Sequence, residues 1–415
     1  MASDALLEAF QPPLADPDLH ERGEARALLS RLRRERPIWW SPGRDGGGFW
    51  SVLRYRDIVT VSKNPRLFSS ARQWGGHRLW DENTAELYQG GVEPSLLSMD
   101  PPEHGVYRGV TTPAFTSERM RSLEARIRAR ATALLDALAG QQTCEFVSAV
   151  AAPLPTQVLG ELIGAPDEDA PRLLEWSNVF VGEDDPDLRG TDEHAQQCYK
   201  DVAAYALKLW RQRLRKPGDD LVTMLSQTEV NGEVMTVQRY YAAFSLYLFA
   251  GNETVRNSIA GGVLALLQHP EQRRKLVENP ELIPQAVKEI VRWVSPALHM
   301  RRTATEDTEL AGQRIAKGDK VVLWYLSGNF DEEVFSEPER FDVTRSGPGH
   351  LGFGHGPHFC QGARLAELEL TVLLQELLPR FPEMELNGSF RRVRSNFVHG
   401  LKALPVRLAP GGLVR

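Results

Sequence analysis

Two short stretches hold most of the residues able to do chemistry. The first is Gly352-Phe353-Gly354-His355-Gly356-Pro357-His358-Phe359-Cys360-Gln361-Gly362. It sets a single cysteine among glycines, aromatic rings and a histidine, directly before an apolar-rich run over 363–378 that reads as a helix. A thiolate at the start of a helix is favoured by the dipole and by unpaired backbone N–H groups. Gly354, Gly356 and Gly362 let the backbone come close to something flat and large. The second stretch, Ala250-Gly251-Asn252-Glu253-Thr254, lies inside the longest helical candidate, 235–268. A mid-helix threonine can donate to the carbonyl four residues back, here that of Ala250, and loosen the helix. Gly251 leaves space beside the backbone, so the pair makes a polar notch in a wall of Phe244, Leu248, Phe249 and Val255. Such a notch can hold dioxygen and feed it protons.

Each stretch has a plainer reading. A free cysteine is most often a small buried hydrophobe, and a Gly-x-x-Thr in a helix is more often packing. A phosphate loop is excluded more firmly. Gly347-Pro348-Gly349-His350 is no β-branched strand, and the Lys-Ser/Thr ending of a P-loop is missing. The order of several motifs decides the matter. On a helix that Asp100, Pro101 and Pro102 start, His104 and Arg108 stand four apart and share a face. Glu289 and Arg292 stand three apart on a helix expected over 284–294, and Pro338-Glu339-Arg340-Phe341 follows. Phe353, Gly356, Cys360 and Gly362 then fall at the spacing of the haem-ligand loop in the cytochrome P450 monooxygenases. From about Pro37 to its end the chain resembles bacterial members of that family.

The resemblance implies the following. Cys360 is the axial ligand to the iron of haem b, donating electron density that favours O–O cleavage. Phe353, Gly354, Gly362, Ala250 and Gly251 border the haem. His104, Arg108, Arg302 and His358 hold its propionates, with Arg302 preferred to Arg301 by position. Thr254 hydrogen-bonds the oxygen, and Glu253, where many relatives carry Asp, relays protons. Glu289, Arg292 and Arg340 form a structural triad on the thiolate side. Phe244, Leu248, Ala297, Leu298, Phe397 and Val398 line the substrate pocket. The implied reaction uses dioxygen to hydroxylate an apolar small molecule of alkyl-chain, terpenoid or steroid type. The alternative is a secondary-metabolite tailoring enzyme that forms rings or couples substrates. Readings from other classes are a peroxide-driven peroxygenase, which has no need of Glu253 and Thr254, and a haem sensor, which has no need of the notch. No cysteine cluster for an iron–sulfur centre and no flavin segment is visible, so electrons are expected from a ferredoxin and its reductase. Their docking face is expected near Arg108, Arg119 and Arg364, by fold analogy.

The elements that position these residues are mostly helical. With 42% hydrophobic and 25% charged residues the composition is that of a globular chain. Neither a linker nor a repeat divides it, so one domain over 1–415 is expected, mainly α with a smaller β portion. A net charge of −6 disfavours nucleic acid. Cys144, Cys198 and Cys360 are too few for a disulfide framework and suit a reducing compartment. Residues 1–37 contain no apolar run, so neither a signal nor an anchor is expected and the protein should be a cytoplasmic monomer. Strands are expected at 37–40 and 49–53 around a turn at 44–48, with a short helix at 56–63. Residues 71–97 read as a long loop covering the pocket. Helices follow over 117–138 and 156–163, then a pair over 169–181 and 191–215 around an acidic loop. In the family such a pair forms a lid over the substrate. A hairpin is expected over 308–323 around 316–319, then a helix starting within 321–325, and a strand turn at 395–400 that enters the pocket.

Overall fold

The structure, a computed structural model, describes residues 10–43, 47–82, 93–230 and 232–408. Part of the expected turn, at 44–46, and part of the expected pocket cover, at 83–92, lie outside those residues. After a five-residue helix at Pro17–Glu21 come helix α1 (Ala25–Glu35), strands β1 (Ile38–Pro42) and β2 (Gly48–Val52), helix α2 (Tyr55–Ser62) and strand β3 (Phe68–Ser69). Helices α3 (Glu103–Thr111), α4 (Ser117–Asp136), α5 (Pro153–Ile163), α6 (Ala170–Val181) and α7 (Asp192–Arg215) follow. Then come α8 (Val237–Gln268), α9 (Ile283–Val294), strands β4 (His299–Ala304) and β5 (Lys320–Trp324), and α10 (Ala363–Arg380).

Threonines set the starts of the long helices. Thr116, Thr191 and Thr236 each accept the backbone N–H three residues on, at Arg119, His194 and Arg239. Such a cap satisfies one of the N–H groups that a helix start leaves without a partner. Helix α8 runs through the middle of the main core. Its buried residues Tyr240, Phe244, Leu248, Ile259 and Val263 belong to one apolar cluster with side chains of α4, α5, α6, α7, α9 and α10. A second cluster joins α1 to the sheet through Leu29, Leu32, Trp39, Phe49 and Trp324.

The main sheet has the order β1-β2-β5-β4-β3. All neighbours are antiparallel except β2 and β5. The expected hairpin over 308–323 is corrected here. Residues 308–310 pair with 313–315 across Ala311 and Gly312, both at positive φ, while β5 pairs with β4 in the register Val321 to Arg302. The run 321–324, expected at the start of a helix, is thus a strand. It is buried, and its β-branched residues fit the pleat between two neighbours. The turn at 395–400 forms, but it packs on 297–298 and none of its residues lines the cavity: Leu298 donates its N–H to the Phe397 carbonyl at 2.9 Å, and Ala297 bridges Val398.

Candidate active site

The cysteine loop is held by its own backbone. The Cys360 N–H donates to the Phe353 carbonyl at 2.9 Å, and the Gly354 N–H to that of Leu351 at 2.8 Å. Gly354 and Gly356 have φ of 68° and 71°. A Cβ on Gly356 would strike the Ser62 carbonyl, so this turn against α2 requires glycine. Gly362 then opens α10. Burial pushes the Cys360 thiol up, and the Gly362 N–H and the Arg108 charge oppose that shift.

Above the loop lies a cavity of about 220 Å³. One wall is a stripe of α8: Leu246, Tyr247, Ala250, Gly251, Thr254, Val255 and Ser258. These residues recur at three- and four-residue spacing, one face of a helix that turns about 100° per residue. The Thr254 hydroxyl donates to the Ala250 carbonyl at 2.9 Å, and Ser258 does the same to the Thr254 carbonyl at 2.8 Å. The opposite wall is residues 352–354 and 358–362 with Leu365, Ala366 and Glu369 of α10. Ala297, Met300, Leu159, Leu162 and Phe115 add apolar surface, while His104, Arg108, Arg302 and His358 supply a cationic and hydrogen-bonding edge.

That edge is buried and short of partners. Arg302 is 3% exposed, and its one hydrogen bond among the described residues runs to the Arg301 carbonyl at 2.7 Å. The rings of His104 and His358 lie 4.3 Å apart. Burial, then Arg108, lowers the pKa of His104; burial, then Arg302, lowers that of His358 further. Both are therefore neutral donors at physiological pH. His358 Nε2 is buried with no hydrogen-bond partner among the described residues. Asp100, whose charge acts on Arg302, is engaged by the Ser69 hydroxyl at 2.5 Å and the Ser70 N–H at 2.8 Å. A largely buried set of donors and cations with few partners calls for anionic groups from a ligand. Two carboxylates at the rim of a flat, apolar ring held over a cysteine sulfur satisfy it, so the residues present fit an iron porphyrin.

Several expected site residues lie elsewhere. Phe244 and Leu248 are buried on the core side of α8, where Tyr240 packs 5.9 Å from Phe244. Both are rotated about 80–120° from Thr254 on the helix. Leu298 belongs to the cluster of Trp39 and Trp324. Val398 is spent on its bridge to Ala297, and Phe397 packs edge-on against His77 and His299 and under Arg78. Of the expected pocket residues only Ala297 lines the cavity. Glu253 also turns away. It accepts from Ser177 of α6 at 3.2 Å and pairs with Arg256 at 3.2 Å, about 100° round the helix from Thr254.

The triad needs a correction. Arg292 grips Glu289 through two bonds of 2.7 and 2.8 Å. The third member is Arg345, whose Nε lies 3.1 Å from the same carboxylate, not Arg340. Arg340 is half exposed, pairs with Glu337 and lends its carbonyl to Arg345 at 2.6 Å. The chain turns through 342–345, so its fourth residue after the Phe341 anchor, not the residue before it, points back under α9.

Sequence reasoning also missed residues. Tyr247 and Gln361 join the two walls to α3, which carries Arg108. Tyr247 Oη donates to Gln361 Oε1 at 3.1 Å and meets Thr111 Oγ1 at 2.5 Å, and Gln361 Nε2 donates to the Arg108 carbonyl at 3.2 Å. Burial pushes the Tyr247 phenol up to about 12. Extending the Gly251–Thr254 stripe by one turn each way would have found Tyr247 and Ser258. Glu369, 1% exposed, has Oε2 without a partner, and burial raises its pKa to about 8; an acid nine residues after Cys360 was its only signal.

A sulfur at a helix start, facing a hydroxyl-notched helix across an apolar cavity with a cationic edge, defines a haem-thiolate protein. Comparison with known proteins agrees. A family model of cytochrome P450 matches residues 174–389. Linalool 8-monooxygenase of Pseudomonas putida is 46% identical over 403 residues, 96% of this chain and 99% of that protein. Methyl-branched lipid omega-hydroxylase of Mycobacterium bovis is 39% identical over 389 residues, 91% of this chain and 90% of that protein. The solved structure of a Mycobacterium marinum cytochrome P450 in complex with pseudoionone is similar with a TM-score of 0.86 at 35% identity, covering 93% of this chain and 95% of that one. This chain belongs to the cytochrome P450 family. It is a monooxygenase, an oxidoreductase that incorporates oxygen, and its cofactor is haem iron. No helix among the described residues is long and apolar enough to cross a membrane.

Proposed function

We propose that the protein hydroxylates an acyclic terpenoid or methyl-branched alkyl chain, using haem b and electrons from a ferredoxin and its reductase. The observation that carries this reading is the apolar cavity set directly between Thr254 and Cys360. When bound, the haem would supply oxygen activation, and the Cys360 sulfur would hold its iron. His104, Arg108, Arg302 and His358 hold the propionates. Phe353, Gly354 and Gly362 on one wall and Ala250 and Gly251 on the other would border the haem. Leu159, Leu162, Ala297 and Met300 exclude water and select an apolar chain. Names of relatives point the same way: linalool, a methyl-branched lipid and pseudoionone are all branched chains.

Thr254 keeps a proton on Oγ1 at the cavity wall, held toward the Ala250 carbonyl until a better acceptor arrives. Glu253 supplies the next proton by turning from Arg256 and Ser177, which makes the relay a gated one. Removal of the Thr254 hydroxyl should lower product formed per turnover on the order of 100-fold, the usual worth of a positioned proton donor. Of the expected docking residues, Arg364 is exposed, whereas Arg119 is tied to Asp219 at 2.5 Å. We therefore centre the ferredoxin face on Arg364 and the exposed Phe359.

The test has two stages. The carbon monoxide difference spectrum of the reduced protein should show a thiolate-type band that Cys360→His loses. Linalool, a methyl-branched fatty acid and a steroid are then compared by spin-state shift and product mass. Terminal hydroxylation of the branched chains supports the reading. A coupled or cyclised product would replace it with the tailoring alternative, and an imidazole-type band in wild type would overturn it.

A further inference from the structure

We propose that Glu175, His194 and Cys198 form a three-ligand site for a zinc-class divalent cation, its fourth position open to water. Glu175 stands on α6, and His194 and Cys198 stand four apart on one face of α7. None of the three lines the haem cavity, and the proposed oxidation has no use for them. Their ligand atoms all lie within 4.8 Å of one another. Cys198 Sγ is 3.6 Å from His194 Nε2, which is 3.7 Å from Glu175 Oε1.

Those separations are informative. Bonds of about 2.3 Å to sulfur and about 2.05 Å to nitrogen, at a tetrahedral angle, place S and N about 3.6 Å apart, and N and O about 3.4 Å apart. The His194–Cys198 pair already stands at that separation, and a small rotation of the exposed Glu175 side chain closes the rest. The thiol and the carboxylate converge on the same imidazole nitrogen, Nε2, as two ligands of one ion beside it would. The surroundings favour a cation. Arg172, the nearest positive group on α6, is engaged with Asp169 and lies over the Trp176 ring. Binding forms the metal–sulfur bond and passes the thiol proton to solvent. Cys198 is 5% exposed while His194 and Glu175 reach the surface, which gives a soft ligand a dry inner side and the metal an open outer one.

The site would tie the two helices of the expected lid. Helix α6 rests on α8 through Phe180 stacked on Phe249 at 3.4 Å, Ser177 on Glu253, and Asn178 on Arg256 at 2.5 Å. Fixing α7 to α6 therefore fixes it to the side of α8 that holds Glu253.

The experiment uses the purified haem-loaded protein after treatment with a chelator. Zinc is titrated calorimetrically in two buffers of different ionisation enthalpy. One equivalent should bind and about one proton should be released. Cys198→Ser and the exposed His194→Gln should each weaken binding by at least about 10–100-fold, while the neighbouring Glu193→Gln leaves it unchanged. Zinc-edge X-ray absorption should find one sulfur at about 2.3 Å. An unchanged haem spectrum in each variant shows that it folds. Equal affinity in wild type and His194→Gln, or a zinc shell with no sulfur, would overturn the site.

Discussion

Two clusters, each built on one buried arginine and one partly buried one, differ in one respect. Around Glu289, Arg292 and Arg345 share a carboxylate, and Arg292 also donates to the carbonyls of Asn329 at 2.8 Å and Pro338 at 3.0 Å. At the cavity edge, Arg302 and Arg108 have no carboxylate partner among the described residues, and His358 has a bare Nε2. Both clusters remove charge from water, which costs several kcal/mol per ion unless it is compensated. The first is compensated by the chain, so it is part of the fold. The second is left for a ligand, so it is part of the site. The pairing of buried cations thus separates structure from function where residue type does not.

The comparison can be broken most strongly at Arg292. Arg292→Leu leaves Glu289 with Arg345 alone in a buried setting and should cost about 3–5 kcal/mol, read as a lower denaturation midpoint of the haem-free protein. Arg302→Leu should act in the opposite place. It removes an unpaired buried charge, so the haem-free protein should be as stable or more so. Haem affinity should fall by about 1.5–3 kcal/mol, the worth of a charge-assisted hydrogen bond, measured by haem transfer to an acceptor protein. Equal losses of haem-free stability at both positions would erase the distinction.

Glu369 sharpens it with the other sign of charge. It lines the same cavity with no cation beside it, and its pKa stands at about 8 against an ordinary 4.5. Its neutral form is favoured in the folded state. That contribution is fully present below about 4.5 and is lost as pH rises through about 8. Wild type should therefore lose stability relative to Glu369→Gln across this window, by at most about 1.4 kcal/mol per pH unit. Parallel melting curves from pH 5 to 8 would contradict it. Smallest of all, Arg340→Ala should change stability by no more than about 0.5 kcal/mol, since its side chain is half exposed and paired only with surface acids. A loss as large as that of Arg292 would restore Arg340 to the triad.

Much of the site was legible because it is local. The cysteine loop needs glycines at fixed offsets, and these stand in the sequence whatever packs around them. The Thr254 bond to Ala250 follows from helix geometry alone. Arg302 was preferred to Arg301 by position in the resemblance, and the alternation of β4 sets the two on opposite sides: Arg302 lines the cavity, while Arg301 bonds Asp81 and the Trp74 carbonyl. The long helices were legible from their apolar period, and their ends moved by only a few residues.

Other features required the packed chain. Pro-Glu-Arg-Phe offered an arginine at a familiar spacing, but a loop turns with every φ and ψ, so spacing does not fix direction there. Arg345 reaches Glu289 because the chain folds back under α9. Phe244, Leu248 and Glu253 sit on the right helix, yet α8 is buried on nearly all sides and its composition does not tell which side meets the cavity. Neighbouring helices decide: Tyr240 and the α7 side chains claim one flank, Ser177 and Asn178 another. The sequence by itself determined the thiolate loop, the notch and the helical frame, since bonds between residues close in the chain set them. Tertiary structure alone decided which buried charges find protein partners and which face the cavity, because that depends on groups tens to hundreds of residues apart.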